Sequence, residues 1–255
     1  MKDKRAVILF TDYIEDFNKK GNFAGNLNSS HKILNFFISQ TTNTLLKARE
    51  SVNFDIIISC NKYSKEKILK ITGDCESIKY IAQKGKTFGE KYINSLKQVE
   101  SLGYKEIISI GNDSPSLSPE TIVNAFKKME SGYQVIVGPS YDGGFYLIGL
   151  TSFSQSDQLW NNKIFDDIDW QTHKVINTLL KNIIELNLSY YLLPKLYDID
   201  NNKSLNGWLS LEHCFFRLIE LIISFHLLHQ SSYRLFPNHS QIIFERRTSQ
   251  IPPPF

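Results

Sequence analysis

The strongest constraint on the fold is an alternation of short apolar runs with segments of helical periodicity. One apolar run, 107–110, ends in the loop Gly111–Pro115, and a second run, 135–137, ends in the loop 138–144. A segment with helical signals separates the two. Such alternation is typical of an α/β fold with a largely parallel sheet. Because ligands of open α/β sheets bind beyond the carboxyl ends of the strands, these two loops are the first candidates for a functional site.

Each of these loops carries an aspartate, Asp113 in the first and Asp142 in the second. A carboxylate at a strand end is a hard oxygen ligand, suited to Mg²⁺ or Mn²⁺ that holds a phosphate. A loop aspartate also commonly accepts hydrogen bonds from nearby backbone amides, which is the structural alternative for Asp113. Pro115 shortens and stiffens the loop, and this favours the functional interpretation.

The run Asp142-Gly143-Gly144 has a stronger structural alternative. Asp-Gly and Gly-Gly are preferred in tight hairpin turns because they tolerate positive φ, and on spacing alone the turn is favoured. The two glycines would equally allow a close approach of the backbone to a ligand. Further along the chain, Asp198 and Asp200 form an Asp-x-Asp triplet after a predicted strand, with a solvated loop as its alternative.

Capping signals and periodicity place the remaining elements. Thr87 and Glu90 have the spacing of a capping box, Ser118 precedes a first-turn proline, and Thr172 is placed to cap a helix that runs to about Asn187. Further strands are predicted over 6–10, 55–59, 78–82 and 190–193, and further helices over about 29–48 and 65–71.

Composition narrows the class of protein. The net charge is +3 without a basic block, so a nucleic-acid partner is not expected. The three cysteines have no metal-ligand spacing, and the amino-terminal apolar stretch is too short for a signal peptide, so we expect a cytoplasmic protein. The sequence has no Gly-x-Gly-x-x-Gly, P-loop or Gly-x-Ser-x-Gly motif, which argues against dinucleotide oxidoreductases, P-loop NTPases and α/β-hydrolases.

The segment 208–228 is densely apolar but interrupted by charges. Charged side chains are costly in a bilayer, so no transmembrane span is expected. We predict a helix that packs on the main domain or on a second subunit, as a possible homodimer contact. A peripheral membrane contact is the alternative. His226 and His229 share a face of this helix, but a zinc site is improbable because a third ligand is missing.

At these motifs the sequence resembles the bacterial GT-A-like transferases that are often labelled radical-SAM/selenodomain-associated transferases. They are relatives of the CofC-type phospholactate guanylyltransferases and of nucleotide-sugar transferases. The resemblance covers roughly 83–200 and rests mainly on a long specific run, Gly138-Pro139-x-x-Asp142-Gly143-Gly144-Phe145-Tyr146-Leu147-Ile148-Gly149-Leu150. Shorter matches are Gly111-x-Asp113-x-Pro115-x-Leu117, Gln83-x-Gly85-x-x-x-Gly89-Glu90, Trp170-x-Thr172 and Asp198-Ile199-Asp200.

The resemblance implies a GT-A-like three-layer α/β domain over residues 1–200, with a mostly parallel sheet, followed by a helical C-terminal extension over 201–255. It implies transfer from a nucleotide-activated donor to a small acceptor, glycosyl or nucleotidyl, with Mg²⁺ or Mn²⁺ bound by Asp113, Asp200 and Asp198. Asp142 would lie on the acceptor side or assist the metal, Lys91 would meet a phosphate, and Gly143 and Gly144 would line the bound ligand.

Two departures from the family pattern stand out. Lys91 replaces the family's arginine, and the acidic segment Thr11–Asp16 replaces a basic loop that contacts the donor nucleotide in GT-A relatives. A binding or regulatory module that kept the fold and lost donor turnover is therefore the alternative function, beside a membrane-peripheral protein.

Overall fold

The computed structural model of the protein describes residues 4–11, 27–73, 78–151 and 162–199. In chain order the elements are β1 (Arg5–Phe10), α1 (Leu27–Arg49), β2 (Asp55–Cys60), α2 (Lys65–Thr72), β3 (Ile78–Ala82), α3 (Phe88–Ser101), β4 (Glu106–Ile110), α4 (Pro119–Glu130), β5 (Val135–Pro139), β6 (Phe145–Thr151), a 3-10 helix (Asn162–Phe165), α5 (Val175–Glu185) and β7 (Tyr190–Leu192). The predicted C-terminal extension, with its helix over 208–228, lies outside the described residues.

The seven strands form one sheet in the order β3-β2-β1-β4-β6-β5-β7. Only β6 runs antiparallel to its neighbours β4 and β5, and the remaining described pairs are parallel. The predicted α/β class with a mostly parallel sheet is therefore confirmed. Strands β5 and β6 make the hairpin that the Asp-Gly-Gly turn predicts.

Helices cover both faces of the sheet and make three layers. Val7 and Leu9 of β1 point to a core shared with α1, α2 and α4. Ala6 and Ile8 point to the opposite core, which α3, α5 and the 3-10 helix complete. Because the central strands are buried on both faces, they read in the sequence as continuous apolar runs rather than as alternating patterns.

The helix starts agree with the capping signals at Thr87 and Ser118. The Thr87 hydroxyl accepts from the Glu90 amide and the Glu90 side chain accepts from the Thr87 amide, so the capping box of α3 is present. Ser118 caps α4 through its hydroxyl, which accepts from the Thr121 amide.

The predicted Thr172 cap is wrong, because α5 begins at Val175 after Lys174. The Thr172 hydroxyl instead accepts from the Lys174 amide (3.3 Å) in the preceding turn. The Ile176 amide, in the first turn of α5, donates to the Gly143 carbonyl (2.9 Å). A carbonyl of the β5–β6 hairpin thus satisfies one of the backbone donors at the start of α5.

Among the described helices, none combines the length and the apolar character needed to cross a membrane.

Candidate functional site

The loop after β4 holds Asp113 at the carboxyl edge of the sheet. Its carboxylate folds back over the chain: a Cβ added at Gly111 would lie 2.6 Å from Asp113 Oδ1. Glycine at position 111 therefore leaves the space that this carboxylate occupies. The loop is also tied to α1, because the Gln40 side-chain amide donates to the Pro115 carbonyl (2.8 Å).

The structure brings the segment that carries Asp198 onto this loop. The Ile199 amide donates to the Asp113 carbonyl (2.8 Å), and the buried Ser114 hydroxyl donates to Asp198 Oδ1. Residues 84 positions apart in the sequence thus meet at one place. Asp200, the other member of the predicted triplet, lies outside the described residues.

Tyr146 of β6 helps to hold this segment. Its hydroxyl donates to the Pro194 carbonyl (3.0 Å), and its ring fills the space above Gly138, where an added Cβ would lie 2.4 Å from the ring. Burial raises the pKa of the Tyr146 hydroxyl, and the nearby negative charge of Asp198 raises it further. The hydroxyl therefore stays protonated and acts as a hydrogen-bond donor.

Asp142 occupies the β5–β6 turn and serves that turn. Its Oδ1 accepts hydrogen bonds from the buried Ser140 hydroxyl and from the Gly144 amide (2.9 Å). This is the local side-chain-to-backbone pattern that stabilises turns. The side chain is nevertheless exposed at the same edge of the sheet as Asp113.

The two glycines of the turn differ in their roles. Gly143 has φ +95°, and an added Cβ there would lie 2.2 Å from the His173 carbonyl oxygen. It is therefore required for packing of the hairpin against the start of α5. At Gly144 an added Cβ would lie 3.1 Å from the Ser140 hydroxyl. These contacts explain Gly143 by packing within the protein, and they do not test the predicted contact with a ligand.

Lys91 lies in the first turn of α3, half-buried, on the helix that packs on β1, β3 and β4. Near this helix start is a cavity of about 340 Å³. Its lining residues are Thr87, Gly89, Glu90, Ile93, Asn94, Lys97 and Trp170. Gly89 packs so closely on Trp170 that an added Cβ would lie 2.3 Å from the indole nitrogen.

Several residues at the carboxyl edge have roles that only the folded chain shows. Ser114 donates to Asp198, and Gly111, already part of the Gly111-x-Asp113 motif, leaves space for the Asp113 carboxylate. The Thr11 hydroxyl at the end of β1 is buried and has no hydrogen-bond partner among the residues that the structure describes. Gln83 donates from its side chain to the carbonyls of Thr11 (3.0 Å) and Ser59 (3.1 Å), which ties the ends of β1, β2 and β3 together.

Asp113 and Asp198 each carry a carboxylate in this region. Mg²⁺ and Mn²⁺ commonly take one or two protein carboxylates as ligands and complete their coordination shell with water and phosphate oxygens. Within the part of the chain that the structure describes, no group of three or more His, Cys, Asp or Glu side chains is arranged to hold a metal ion. Asp113 and Asp198 alone would leave most of an ion's coordination positions to water or to phosphate oxygens.

Residues 44–172 match the model of the family described as "Uncharacterized protein conserved in bacteria (DUF2064)", a match that spans about half of the chain. The chain belongs to this family. A comparison with curated proteins finds no match.

Among solved structures, a Desulfovibrio desulfuricans G20 protein assigned as a nucleotide-diphospho-sugar transferase is similar at a TM-score of 0.64 and 21% identity, over 80% of this chain and 85% of that chain. CMP:2-keto-3-deoxy-manno-octonic acid synthetase complexed with CTP is similar at a TM-score of 0.52 and 10% identity, over 82% and 98% of the two chains. The 4-diphosphocytidyl-2C-methyl-D-erythritol synthase of Anaerococcus prevotii DSM 20548 reaches 0.51 at 9% identity, over 82% and 96%.

At these identities the likeness shows the fold. The DUF2064 chain has the fold of nucleotide-diphospho-sugar transferases, as its GT-A-like motifs predict.

Proposed function

We propose that this DUF2064 protein is a metal-dependent transferase that takes a group from a nucleotide-activated donor and passes it to a small acceptor. The observation that carries the proposal is the pairing of the Asp113 loop with the Asp198 segment at the carboxyl edge of the sheet: the Ile199 amide donates to the Asp113 backbone carbonyl, and the Ser114 hydroxyl donates to Asp198. Support also comes from the fold, since CMP:2-keto-3-deoxy-manno-octonic acid synthetase, a structure with this fold, is complexed with CTP.

In this proposal Asp113 and Asp198 would hold Mg²⁺ or Mn²⁺, and Asp200 would be a further ligand. When bound, such an ion neutralises diphosphate charge and favours departure of the phosphate leaving group. Gly111 keeps the Asp113 carboxylate in place by offering no side chain to displace it. Ser114 fixes one oxygen of Asp198, and Tyr146 fixes the segment that leads to it.

Asp142 is the residue that we assign to the acceptor. The Ser140 hydroxyl and the Gly144 amide both donate to Oδ1, and these bonds orient the carboxylate. A carboxylate held this way can accept a hydrogen bond, and then a proton, from an acceptor hydroxyl. Lys91, Gly143 and Gly144 remain candidates for contact with the donor, with Lys91 as a point charge toward phosphate.

The experiment that tests the proposal is a thermal-shift panel of nucleoside di- and triphosphates and nucleotide sugars, each measured with Mn²⁺ and with EDTA. Binding at about 100-fold over Kd stabilises the folded state by about 2.7 kcal/mol. For a domain of this size the melting temperature then rises by roughly 5–10 °C.

A shift that needs both nucleotide and metal supports the donor site. The absence of a shift with every nucleotide up to about 1 mM, the range of ordinary substrate affinities, contradicts the transferase proposal. That result would favour the binding or regulatory module suggested by the acidic Thr11–Asp16 segment, most of which lies outside the described residues.

A further inference from the structure

Two exposed tyrosines form a stacked pair beside the candidate site. The rings of Tyr141 and Tyr197 lie 4.1 Å apart between centroids and are inclined by 15°. Tyr141 is 56% exposed and Tyr197 is 62% exposed. We call this pair the tyrosine platform. An exposed, stacked aromatic pair offers a flat apolar surface, with a polar hydroxyl on each ring, on which a ligand ring can lie.

The tyrosine platform is formed before any ligand binds. The Tyr141 amide donates to the Leu196 carbonyl (3.1 Å), and the Leu196 amide donates to the Pro139 carbonyl (3.2 Å). These bonds join the β5–β6 turn to the segment after β7, so the two rings are held by backbone pairing as well as by their own contact. A preformed surface binds a ligand at a lower entropic cost than one that must be ordered.

The spacing of the rings restricts what can bind. Parallel rings with centroids 4.1 Å apart are in direct contact, so no third ring fits between them. A ligand must therefore lie on an outer face or across the edges of the pair. The apolar C–H face of a sugar ring suits such a surface, and its hydroxyls remain available for polar neighbours.

Charged groups surround the platform. Tyr141 is followed by Asp142, and Tyr197 is followed by Asp198, so each ring is next in sequence to a candidate site residue. The Lys195 ammonium lies 5.8 Å from the centroid of the Tyr141 ring. The platform thus combines a surface for a ring, a cation for an anionic group, and the Asp142 carboxylate for a hydroxyl.

We propose that the tyrosine platform, with Lys195, binds the acceptor, and that the acceptor is a sugar carrying an anionic group such as a phosphate. The assignment of this site to the acceptor rests on the proposed function. The binding itself depends on neither metal nor nucleotide, because the platform is already assembled.

The test measures binding of glucose 6-phosphate to the full chain in EDTA, by saturation-transfer NMR and by titration. Glucose, inorganic phosphate and AMP are the comparison probes. We expect saturable binding of glucose 6-phosphate, transfer of saturation from the tyrosine rings to the sugar C–H protons, and weaker binding of glucose and of phosphate alone.

Variants assign the binding to the platform. Tyr197→Ala should weaken binding of glucose 6-phosphate roughly three- to tenfold, the effect of one lost aromatic contact, while Tyr197→Phe should retain it. Lys195→Gln should remove the preference for glucose 6-phosphate over glucose. Tyr63→Ala is the matched control, because Tyr63 is an 87% exposed tyrosine in the turn after β2. Melting temperatures show whether each variant is folded.

Three results would overturn the inference. They are no saturable binding of glucose 6-phosphate up to about 20 mM, equal binding by the wild type and by folded Tyr197→Ala, and tighter binding of AMP than of the sugar phosphate. The nucleotide panel gives a separate result. If glucose 6-phosphate binds but no nucleotide raises the melting temperature, the platform inference is supported and the transferase proposal is contradicted. If a nucleotide raises the melting temperature but glucose 6-phosphate does not bind, only the platform inference is contradicted.

Discussion

The amino edge of the sheet, where the parallel strands begin, and the carboxyl edge, where they end, both carry charged residues but place them in different environments. At the amino edge, Arg5 is buried and donates to Glu106 (2.5 Å) and to Glu130 (2.6 Å). At the carboxyl edge, Asp113, Asp142 and Asp198 lie on loops with exposed or half-buried side chains. At the first edge the charge of Arg5 is neutralised by two ion pairs, whereas the second edge carries its acidic side chains on loops that reach solvent.

The amino edge continues with a second group of paired charges. Arg5 and Glu106 are register partners in β1 and β4, so their pairing follows directly from the sheet. Lys79 donates to Asp55 (2.8 Å), and the Tyr104 hydroxyl donates to the same carboxylate. The comparison teaches that a count of charged residues does not locate a site. What distinguishes the carboxyl edge is that the segment after β7 pairs there with two loops, and each of the three segments carries an acidic residue that is exposed or half-buried.

The largest effect is expected from removal of the buried Arg5 guanidinium at the amino edge of the sheet. Arg5→Met should destabilise the fold by about 3–5 kcal/mol, because Glu106 is then left buried without its cation. The melting temperature should fall by roughly 10 °C. Lys181→Met, which removes only the exposed pair with Glu185, is the control and should cost less than about 1 kcal/mol. If the two variants melt alike, the buried ion pairs of Arg5 do not stabilise the fold.

The second-largest effect is expected in the β5–β6 hairpin, with Gly132→Ala as the control outside it. Gly132→Ala should lower the free energy of unfolding by about 1 kcal/mol. Its φ is +97°, and no atom of the described residues lies within 4 Å of the added Cβ. Gly143→Ala should cost at least about 1 kcal/mol more, since its Cβ also meets the His173 carbonyl. Urea denaturation compares the two directly. Equal losses would show that the contact with the start of α5 is unimportant.

The smallest expected effect is a pH dependence at the amino edge. Burial acts to raise the pKa of Asp55, but the hydrogen bonds from Lys79 and Tyr104 outweigh it and hold the pKa below its usual value. A carboxyl with a lowered folded-state pKa stabilises the fold above its unfolded pKa of about 3.9 and loses this contribution as the pH falls through the folded value. The difference in the free energy of unfolding between the wild type and Asp55→Asn, measured by urea denaturation, should therefore be present at pH 7 and shrink below about pH 4. A gap that does not change with pH would contradict this.

Local signals in the sequence are sufficient for most elements and insufficient for the site. The strand that ends at Ala82 and the capping box at Thr87 are predicted correctly because apolar runs and cap spacings act over a few residues. The predicted start of α5 is too early, since a carbonyl from the β5–β6 turn serves its first turn. The 3-10 helix is not predicted, because four residues carry too little periodicity.

The candidate site shows the same limit. Asp113, Asp142 and Asp198 are predicted as separate strand-end residues, and the sequence does not show that the Asp113 loop pairs with the segment of Asp198 through the Ile199 amide and the Ser114 hydroxyl. The sequence does not reveal the tyrosine platform, because Tyr141 and Tyr197 meet only after β5 and β7 pair. Pairs of residues far apart in the chain depend on the register of the sheet, and local patterns do not encode it.

The most direct test of the central claim is a calorimetric titration of the nucleotide that gives the largest shift in the panel. The wild type, Asp113→Asn and the control Asp166→Asn, which alters an exposed aspartate after the 3-10 helix, are each measured with Mn²⁺ and with EDTA. Our account predicts that Mn²⁺ tightens binding in the wild type and in Asp166→Asn, and that Asp113→Asn loses this gain while melting normally without metal. Unchanged Mn²⁺-dependent binding in Asp113→Asn would contradict the account.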